Sequence, residues 1–241
     1  FYWGSILLLI VTMFIGTDIN GARGWIRLGP LSFQPAELAK IATIMMLGKT
    51  LEDMNGTINE VKNFFTMAFY AVIPAIFIVI QPDMGMTMVL FFMVVGIFFI
   101  AGLDIKILGG GLLSLVVAIV IVWNSGLIQP YQKTRITSFM NPESDSSESG
   151  YQLRQSLISI GNGGTFGLQG NAITKENSVG YAAQYVPEVQ TDFIFASIAE
   201  QWGFLGACFL FLLYGILISR MIAIARTAKD QFGSIICVGL V

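Results

Sequence analysis

Long apolar runs separated by short polar links dominate the chain. Residues 2–15 form one such run, shorter than the ~20 residues that cross a bilayer core, and read as the remainder of a spanning helix. Residues 16–30 (GTDINGARGWIRLGP) follow as a polar loop, and residues 31–51 as a second helix that carries Gln34, Glu37 and Lys40. A polar loop leads to a third helix at 63–80, interrupted by Pro74, and QPDMG at 81–85 is a tight turn. The pattern predicts a fourth helix at 84–103 and a fifth at 107–123, whose start Gly109 to Gly111 loosen. Residues 124–191 are a long polar segment, a length that in a compact protein marks function or hidden structure. Inside it, residues 151–160 have helical spacing with Leu153, Leu157 and Ile160 on one side, which predicts a short helix on the membrane surface. The glycines at 161–164 end that helix, and their backbone amides could also face a phosphate. A sixth helix is expected at 192–219, then a basic link, then a seventh helix from 232.

Composition turns this pattern into a class. The chain has 241 residues, 55% hydrophobic and 12% charged, with mean hydropathy +0.74. Soluble domains carry about 25% charged residues, so the expected fold is an all-α polytopic membrane protein. The net charge of −2 gives no sign of a nucleic-acid partner. Histidine is absent, which excludes a His-based zinc site and a Ser-His triad. Cys208 and Cys237 lie in apolar runs and read as small core residues. The chain opens and closes inside apolar runs, so we expect an internal fragment, truncated at both ends, of a longer protein. Within it, residues 1–241 are expected to be a single transmembrane domain with one large extracytoplasmic loop at 124–192.

Charge then sets the orientation. The links at 49–62, 104–106 and 220–230 hold Lys49, Lys62, Lys106, Arg220, Arg226 and Lys229, and the positive-inside rule puts them in the cytoplasm. Arg23, Arg27, Gln81, Asp83 and Asp192 then share the outer side.

Several polar groups call for a role. Asp192 stands where a polar loop enters an apolar helix. Partial desolvation there favours the protonated carboxyl, which suits a general base at the membrane surface. The competing role is a helix cap made by Thr191 and Asp192. Glu37 and Lys40 share a helix face and are expected to pair, locking helices together or shaping a cavity. Asp83 at a helix entrance is either a cap or a site residue. Lys133 and Arg135 place two cations near the interface, for lipid headgroups or for a substrate.

Five stretches, taken in order, carry a resemblance: GARGWIRLGPLSFQPAELAK at 21–40, QPDMG at 81–85, PYQKTRITSFMNPESD at 130–145, GYQLRQSLISIGNGG at 150–164 and VPEVQTDFIFASIAEQWGFLG at 186–206. The chain resembles the SEDS family (shape, elongation, division and sporulation), which includes RodA, FtsW and SpoVE, and the VPEVQTDF and Gly150-Tyr151-Gln152 versions lean towards RodA. The resemblance implies a SEDS-type helical bundle of about ten transmembrane helices in the full protein, about seven of them whole or partial here. It implies a peptidoglycan glycosyltransferase in the bacterial cytoplasmic membrane that polymerises lipid II on the outer side for cell-shape wall synthesis, with Asp192 as the catalytic residue. It also implies a class B penicillin-binding protein as partner, besides membrane lipids and undecaprenyl-pyrophosphate-linked glycan. Gln190 stands where the family usually has His, and Ala36 where it usually has Ser. Residues 167–184 lack the family's common Gly-Lys-Gly and Gly-Thr-Gln pattern.

The implied reaction displaces a pyrophosphate with inversion, which needs one base and a stabilised leaving group. Asp192 is the candidate base, and Arg23, Arg27, Lys133 and Arg135 are the candidate cations for the pyrophosphate, with Glu188 positioning the loop or cooperating with Asp192. Gln34, Glu37, Lys40, Gln81 and Asp83 are expected to shape the cavity. A divalent cation, Mg or Mn, could share the work, although the sequence shows no dedicated metal-ligand cluster. Two other classes compete: a lipid II flippase and a non-catalytic scaffold. A flippase needs polar groups through the membrane's depth, whereas here they gather towards the outer face.

Overall fold

The structure is a computed structural model that describes residues 1–19, 22–29, 31–124, 148–170 and 180–241. In chain order the elements are α1 (Tyr2–Ile15), β1 (Thr17–Ile19), β2 (Ala22–Leu28), β3 (Leu31–Phe33), α2 (Pro35–Asp53), α3 (Val61–Ile80), α4 (Met84–Ile100), α5 (Ile105–Asn124), α6 (Glu148–Asn162), α7 (Gly167–Gly170), α8 (Tyr181–Tyr185), α9 (Ile194–Thr227) and α10 (Gln231–Gly239). The helices expected from the apolar runs are present, in a mostly helical part of a polytopic membrane protein. By length and composition α3 and α9 suffice to cross a membrane, and α1, α4 and residues 105–117 are shorter apolar helices.

The stretch expected as a loop at 16–30 is instead built from strands. β1, β2 and β3 make a small antiparallel sheet in that order, with Thr17 opposite Trp25 and Arg27 opposite Ser32. Short alternating stretches such as ARGWIRL satisfy their backbone groups in a ladder as readily as in a coil, and Gly29 takes φ 68 after β2, a conformation glycine adopts without a Cβ clash. The second helix consequently starts at Pro35, four residues later than expected. Proline disfavours helical backbone in the residue before it and fits the first helical position, where no N–H is needed; Gln34 is extended at φ −107, ψ 107. The basic link also shrinks: Arg220 and Arg226 lie within α9, and Asp230 caps α10 by accepting from the Gly233 N–H at 3.2 Å.

The chain divides into two compact units. The first comprises residues 1–115 and 218–241, and the second residues 116–217. In the first, α2 is the central helix. Its Ala36, Ala39 and Ala42 are buried, and small side chains let α1 and α3 approach closely, a packing that works in lipid, where there is little hydrophobic drive between helices. Leu47 and Leu51 continue the buried face against Met67, Ala71 and Ile235. The hydroxyls of Thr43 and Thr50 return to carbonyls four residues back, Ala39 and Met46, each at 2.7 Å, so they carry no unmatched donor into the core. α3 turns Met67, Ala71, Pro74 and Ile78 inward and leaves Phe65, Phe69, Val72 and Ile76 outward, the inverse of a soluble helix and suited to lipid. The links expected on the cytoplasmic side meet: Asn59 donates to the Gly102 carbonyl at 2.9 Å and accepts from the Asp104 N–H at 2.8 Å.

In the second unit, α9 breaks at Gly203, which has φ 69 and ψ −169. The N–H groups of Phe204 and Leu205, freed by the break, donate to the carbonyls of Gly164 and Thr165 at 2.8 and 3.2 Å. The turn at 163–166 thus does more than end α6: it crosses α9 at backbone distance, so close that a Cβ at Gly163 would collide with the Ala199 carbonyl. Cys208, expected in the core, is exposed on α9, and Cys237 is half-buried on α10.

Candidate functional site

The candidate residues fall into the two units. In the first, three separate stretches meet in a polar cluster. Asp83 follows the Gln81-Pro82 turn and caps α4, its Oδ1 accepting from the Met86 N–H at 2.9 Å. Its Oδ2 accepts from Gln34 Nε2 at 2.7 Å, so cap and site candidate are one side chain. Gln81 is 3% exposed, and its Nε2 donates to the Leu9 carbonyl of α1 at 3.0 Å. Gly24 of β2 covers the cluster: a Cβ there would lie 3.6 Å from Gln34 Nε2, 3.7 Å from Gln81 Oε1 and 3.9 Å from Asp83 Oδ2. The sheet is therefore packed over Gln34, Gln81 and Asp83, which explains why a structured element replaces the expected loop.

Glu37 and Lys40 form the expected ion pair at 2.9 Å, with side chains 55% and 20% exposed. Glu37 sits in the first turn of α2, where the helix dipole favours a carboxylate. The pair borders a groove of about 730 Å³, otherwise lined by apolar side chains such as Ile44, Phe92, Met93 and Val238. Arg27 is exposed on β2. The side chain of Arg23, and Lys133 and Arg135 entirely, lie outside the described residues.

The second unit carries Asp192. Residues 187–193 form consecutive turns between α8 and α9, organised by Glu188. Glu188 has φ 53, a left-handed conformation that a non-glycine residue adopts at a cost and that is often found at functional turns. Its carbonyl accepts from three N–H groups, those of Thr191, Asp192 and Phe193, at 3.1, 3.1 and 3.3 Å. The Thr191 hydroxyl also turns back to Glu188, at 3.2 Å from both the carbonyl and Oε2. Glu188 therefore shapes the turn through its backbone and through Thr191.

The Asp192 side chain is exposed, where partial desolvation was expected. The expected cap does not form. The Thr191 hydroxyl is used within the turn, α9 begins two residues on at Ile194, and among the described residues no backbone N–H donates to the Asp192 carboxylate. What remains is a carboxylate on a tight turn, at the entrance of an apolar helix, with no donor to it among the described residues. Such a group is able to accept a proton from a hydroxyl brought to it.

No group of three or more Asp, Glu, Cys or His residues stands close enough to hold a metal ion among the described residues, so no step is derived through a divalent cation. Two residues were missed in the sequence. Gly24 gives no signal beyond its place in a polar loop. Glu200 does give one, since an ionisable residue within an apolar run marks a satisfied buried group. It is 2% exposed, and it accepts from the N–H groups of Tyr181 and Ala182 and from the Ser159 hydroxyl.

The fold and these two groups define a polytopic membrane protein with a carboxylate presented at the entrance of a helix. A family profile described as cell cycle protein (FtsW, RodA, SpoVE) matches residues 1–241, and the chain belongs to this family, the SEDS family. It is similar to the probable peptidoglycan glycosyltransferase FtsW of Aliivibrio salmonicida, with 37% identity over 98% of the chain and 58% of the relative. It is similar to stage V sporulation protein E of Bacillus subtilis, with 36% identity over 98% of the chain and 62% of the relative. The chain thus spans about three fifths of the length of these relatives. Among solved structures it matches a chain of a peptidoglycan synthase complex that coordinates polymerization and crosslinking, with TM-score 0.80 and 31% identity over 99% of this chain and 64% of that one. It also matches the rod shape determining protein RodA of Thermus thermophilus, with TM-score 0.64 and 28% identity over 99% of this chain and 59% of that one. FtsW and SpoVE names among the sequence relatives stand beside RodA among the structures, so the lean towards RodA is not separated from the rest of the family.

Proposed function

We propose that the full-length protein is a peptidoglycan glycosyltransferase that polymerises lipid II at the outer face of the bacterial cytoplasmic membrane, with Asp192 as its general base. The carrying observation is the Asp192 carboxylate, exposed on a turn that Glu188 fixes and, among the described residues, committed to no donor. Membership of a family whose relatives bear the name peptidoglycan glycosyltransferase supports the reaction class. In that reaction the 4-hydroxyl of one lipid-linked GlcNAc attacks the anomeric carbon of MurNAc on the other chain. Asp192 takes the hydroxyl proton, the new C–O bond forms with inversion from α to β, and undecaprenyl pyrophosphate leaves with the electron pair of the broken bond. Arg23, Arg27, Lys133 and Arg135 are the proposed cations for the leaving pyrophosphate. Gln34, Gln81 and Asp83, joined under Gly24, and the Glu37–Lys40 pair beside its groove are proposed to shape the cavity.

The finer assignments belong to the same proposal. The chain is one transmembrane domain carrying an extracytoplasmic segment at 124–192, it serves cell-shape elongation, and it works with a class B penicillin-binding protein that crosslinks the product. A synthase complex among its structural relatives supports the partner class.

The test compares wild type with Asp192→Asn in lipid II polymerisation by the full-length protein, with a partner lacking glycosyltransferase activity. A positioned base contributes about 100- to 10,000-fold, so the variant should lose at least 100-fold in rate with unchanged thermal stability. Equal glycan output from both proteins would remove Asp192 from the chemistry. Lipid II translocation without polymer, from either protein, would shift the assignment to a flippase.

A further inference from the structure

We infer that Glu200 is a positioning residue for Asp192, an inference that rests on the reading of Asp192 as the base. Glu200 lies on α9, eight residues beyond Asp192, and is 2% exposed. A carboxylate buried in an apolar helix is costly unless its oxygens are fully used. Here both are used. Oε1 accepts from the Tyr181 N–H at 2.6 Å, and Oε2 accepts from the Ala182 N–H at 2.7 Å and from the Ser159 hydroxyl at 3.0 Å.

These partners tie together three elements of the second unit. Tyr181 and Ala182 open α8, where the first N–H groups of a helix have no internal acceptor. Ser159 lies on α6, and Gln155, one turn earlier on that helix, accepts from the Tyr181 hydroxyl. Glu200 therefore fixes the start of α8 against α6 and α9 at once. Gly180 is part of this fit, since a Cβ there would come within 3.1 Å of Glu200 Oε2. The other end of α8 is fixed too: Val186 is 5% exposed and its N–H donates to the Ala182 carbonyl at 3.0 Å. Val186 leads directly into the turn of Glu188 that presents Asp192. The path from the buried carboxylate to the exposed one thus runs through three fixed points, α8, Val186 and the Glu188 turn. A generic buried carboxylate would stabilise the fold; this one holds both the segment before Asp192 and the helix after it.

Glu200→Gln tests the inference in the full-length protein. The side chain keeps its shape, but one oxygen becomes an NH2 that must face an N–H donor. Ser159→Ala is the milder second variant, removing one of the three donors. Three readouts are taken together: thermal stability, hydrogen exchange at residues 181–193, and the kcat and KM of lipid II polymerisation. Misplacing a catalytic group by about 1 Å costs on the order of 100-fold, so Glu200→Gln should lose about 10- to 100-fold in kcat with KM within about 2-fold. Exchange at Tyr181 and Ala182 should rise about 10-fold or more in Glu200→Gln and by less in Ser159→Ala, because a free N–H replaces a bonded one. Wild-type kcat in a folded Glu200→Gln protein overturns the inference. So does a loss of activity no larger than the loss of folded fraction, or unchanged exchange at residues 181–193 in both variants. A wild-type protein that makes no polymer, while exchange rises as stated in the variants, refutes the enzyme reading and leaves the anchor intact.

Discussion

Removing a single oxygen, in Tyr2→Phe, offers a sharp test of how this bundle handles a proline in the membrane. Pro74 lies inside α3 and has no N–H for the carbonyl of Tyr70 four residues back. In lipid such a carbonyl stays unmatched unless a neighbour reaches it. The Tyr2 hydroxyl of α1 donates to the Tyr70 carbonyl at 2.7 Å. Tyr2 is 5% exposed, and its ring packs edge-on against the Tyr70 ring at 5.6 Å, a contact that Phe retains. Tyr2→Phe therefore isolates one hydrogen bond. An orphaned buried acceptor costs about 1–3 kcal/mol, and hydrogen bonds between membrane helices average about 0.6 and reach about 1.7, so the expected loss is about 1–1.5 kcal/mol. Pro74→Ala restores the N–H at position 74, which then serves the Tyr70 carbonyl within α3. In that background Tyr2→Phe should cost under about 0.5 kcal/mol, giving a coupling of about 1 kcal/mol between residues far apart in sequence. The assay is equilibrium unfolding of the four full-length proteins in mixed micelles. An equal cost of Tyr2→Phe in both backgrounds would show that the hydroxyl does not compensate for the proline.

Two more perturbations probe the supports of the candidate site. Gly163→Ala should abolish recovery of folded protein on size-exclusion chromatography, because the added Cβ meets the backbone carbonyl of Ala199, which cannot move without shifting α9; normal recovery would refute the backbone crossing. Asp83→Ala removes the α4 cap and the partner of Gln34, and should lower unfolding stability by about 1–2 kcal/mol, whereas Asp83→Asn keeps an oxygen for the Met86 N–H and should cost less than half as much; an equal loss in the two variants would refute the cap as the source.

The helices were legible because lipid imposes one rule on every spanning segment, and residues 61–80 and 84–100 obey it except at Pro74, where Tyr2 serves the freed Tyr70 carbonyl. The sheet at 17–33 was not. ARGWIRL is seven residues with an arginine next to each end, and what makes it a strand is the surface beneath it, where Gly24 packs over Gln34, Gln81 and Asp83. That surface joins two stretches distant in sequence, residue 34 and residues 81–83, and no local pattern announces it. The break in α9 was hidden for a similar reason. Glycines are common in membrane helices, and only the turn at 163–166, which supplies carbonyls to Phe204 and Leu205, turns Gly203 into a break.

The site was legible in part, and the part that failed follows one physical line. Every polar side chain in an apolar run poses the same question in the sequence, whether its charge or dipole is spent inside the fold or kept for a ligand. Asp83 and Asp192 look alike there, since each precedes an apolar helix and each reads as a cap or as a site residue. In the structure Asp83 spends both oxygens, on the Met86 N–H and on Gln34, and Glu200 spends both of its own on α8 and Ser159. Gln81 spends its amide N–H on α1. Among the described residues no backbone N–H donates to the Asp192 carboxylate: its own N–H and those of Thr191 and Phe193 turn back to the Glu188 carbonyl, and α9 starts two residues on at Ile194. The turn is thus closed by the backbone of Glu188, at φ 53, and not by the Asp192 side chain. Position in the sequence could not separate the two aspartates; the use each carboxylate finds among the described residues does, and it is the reason we propose the chemistry for Asp192 and an architectural role for Asp83 and Glu200.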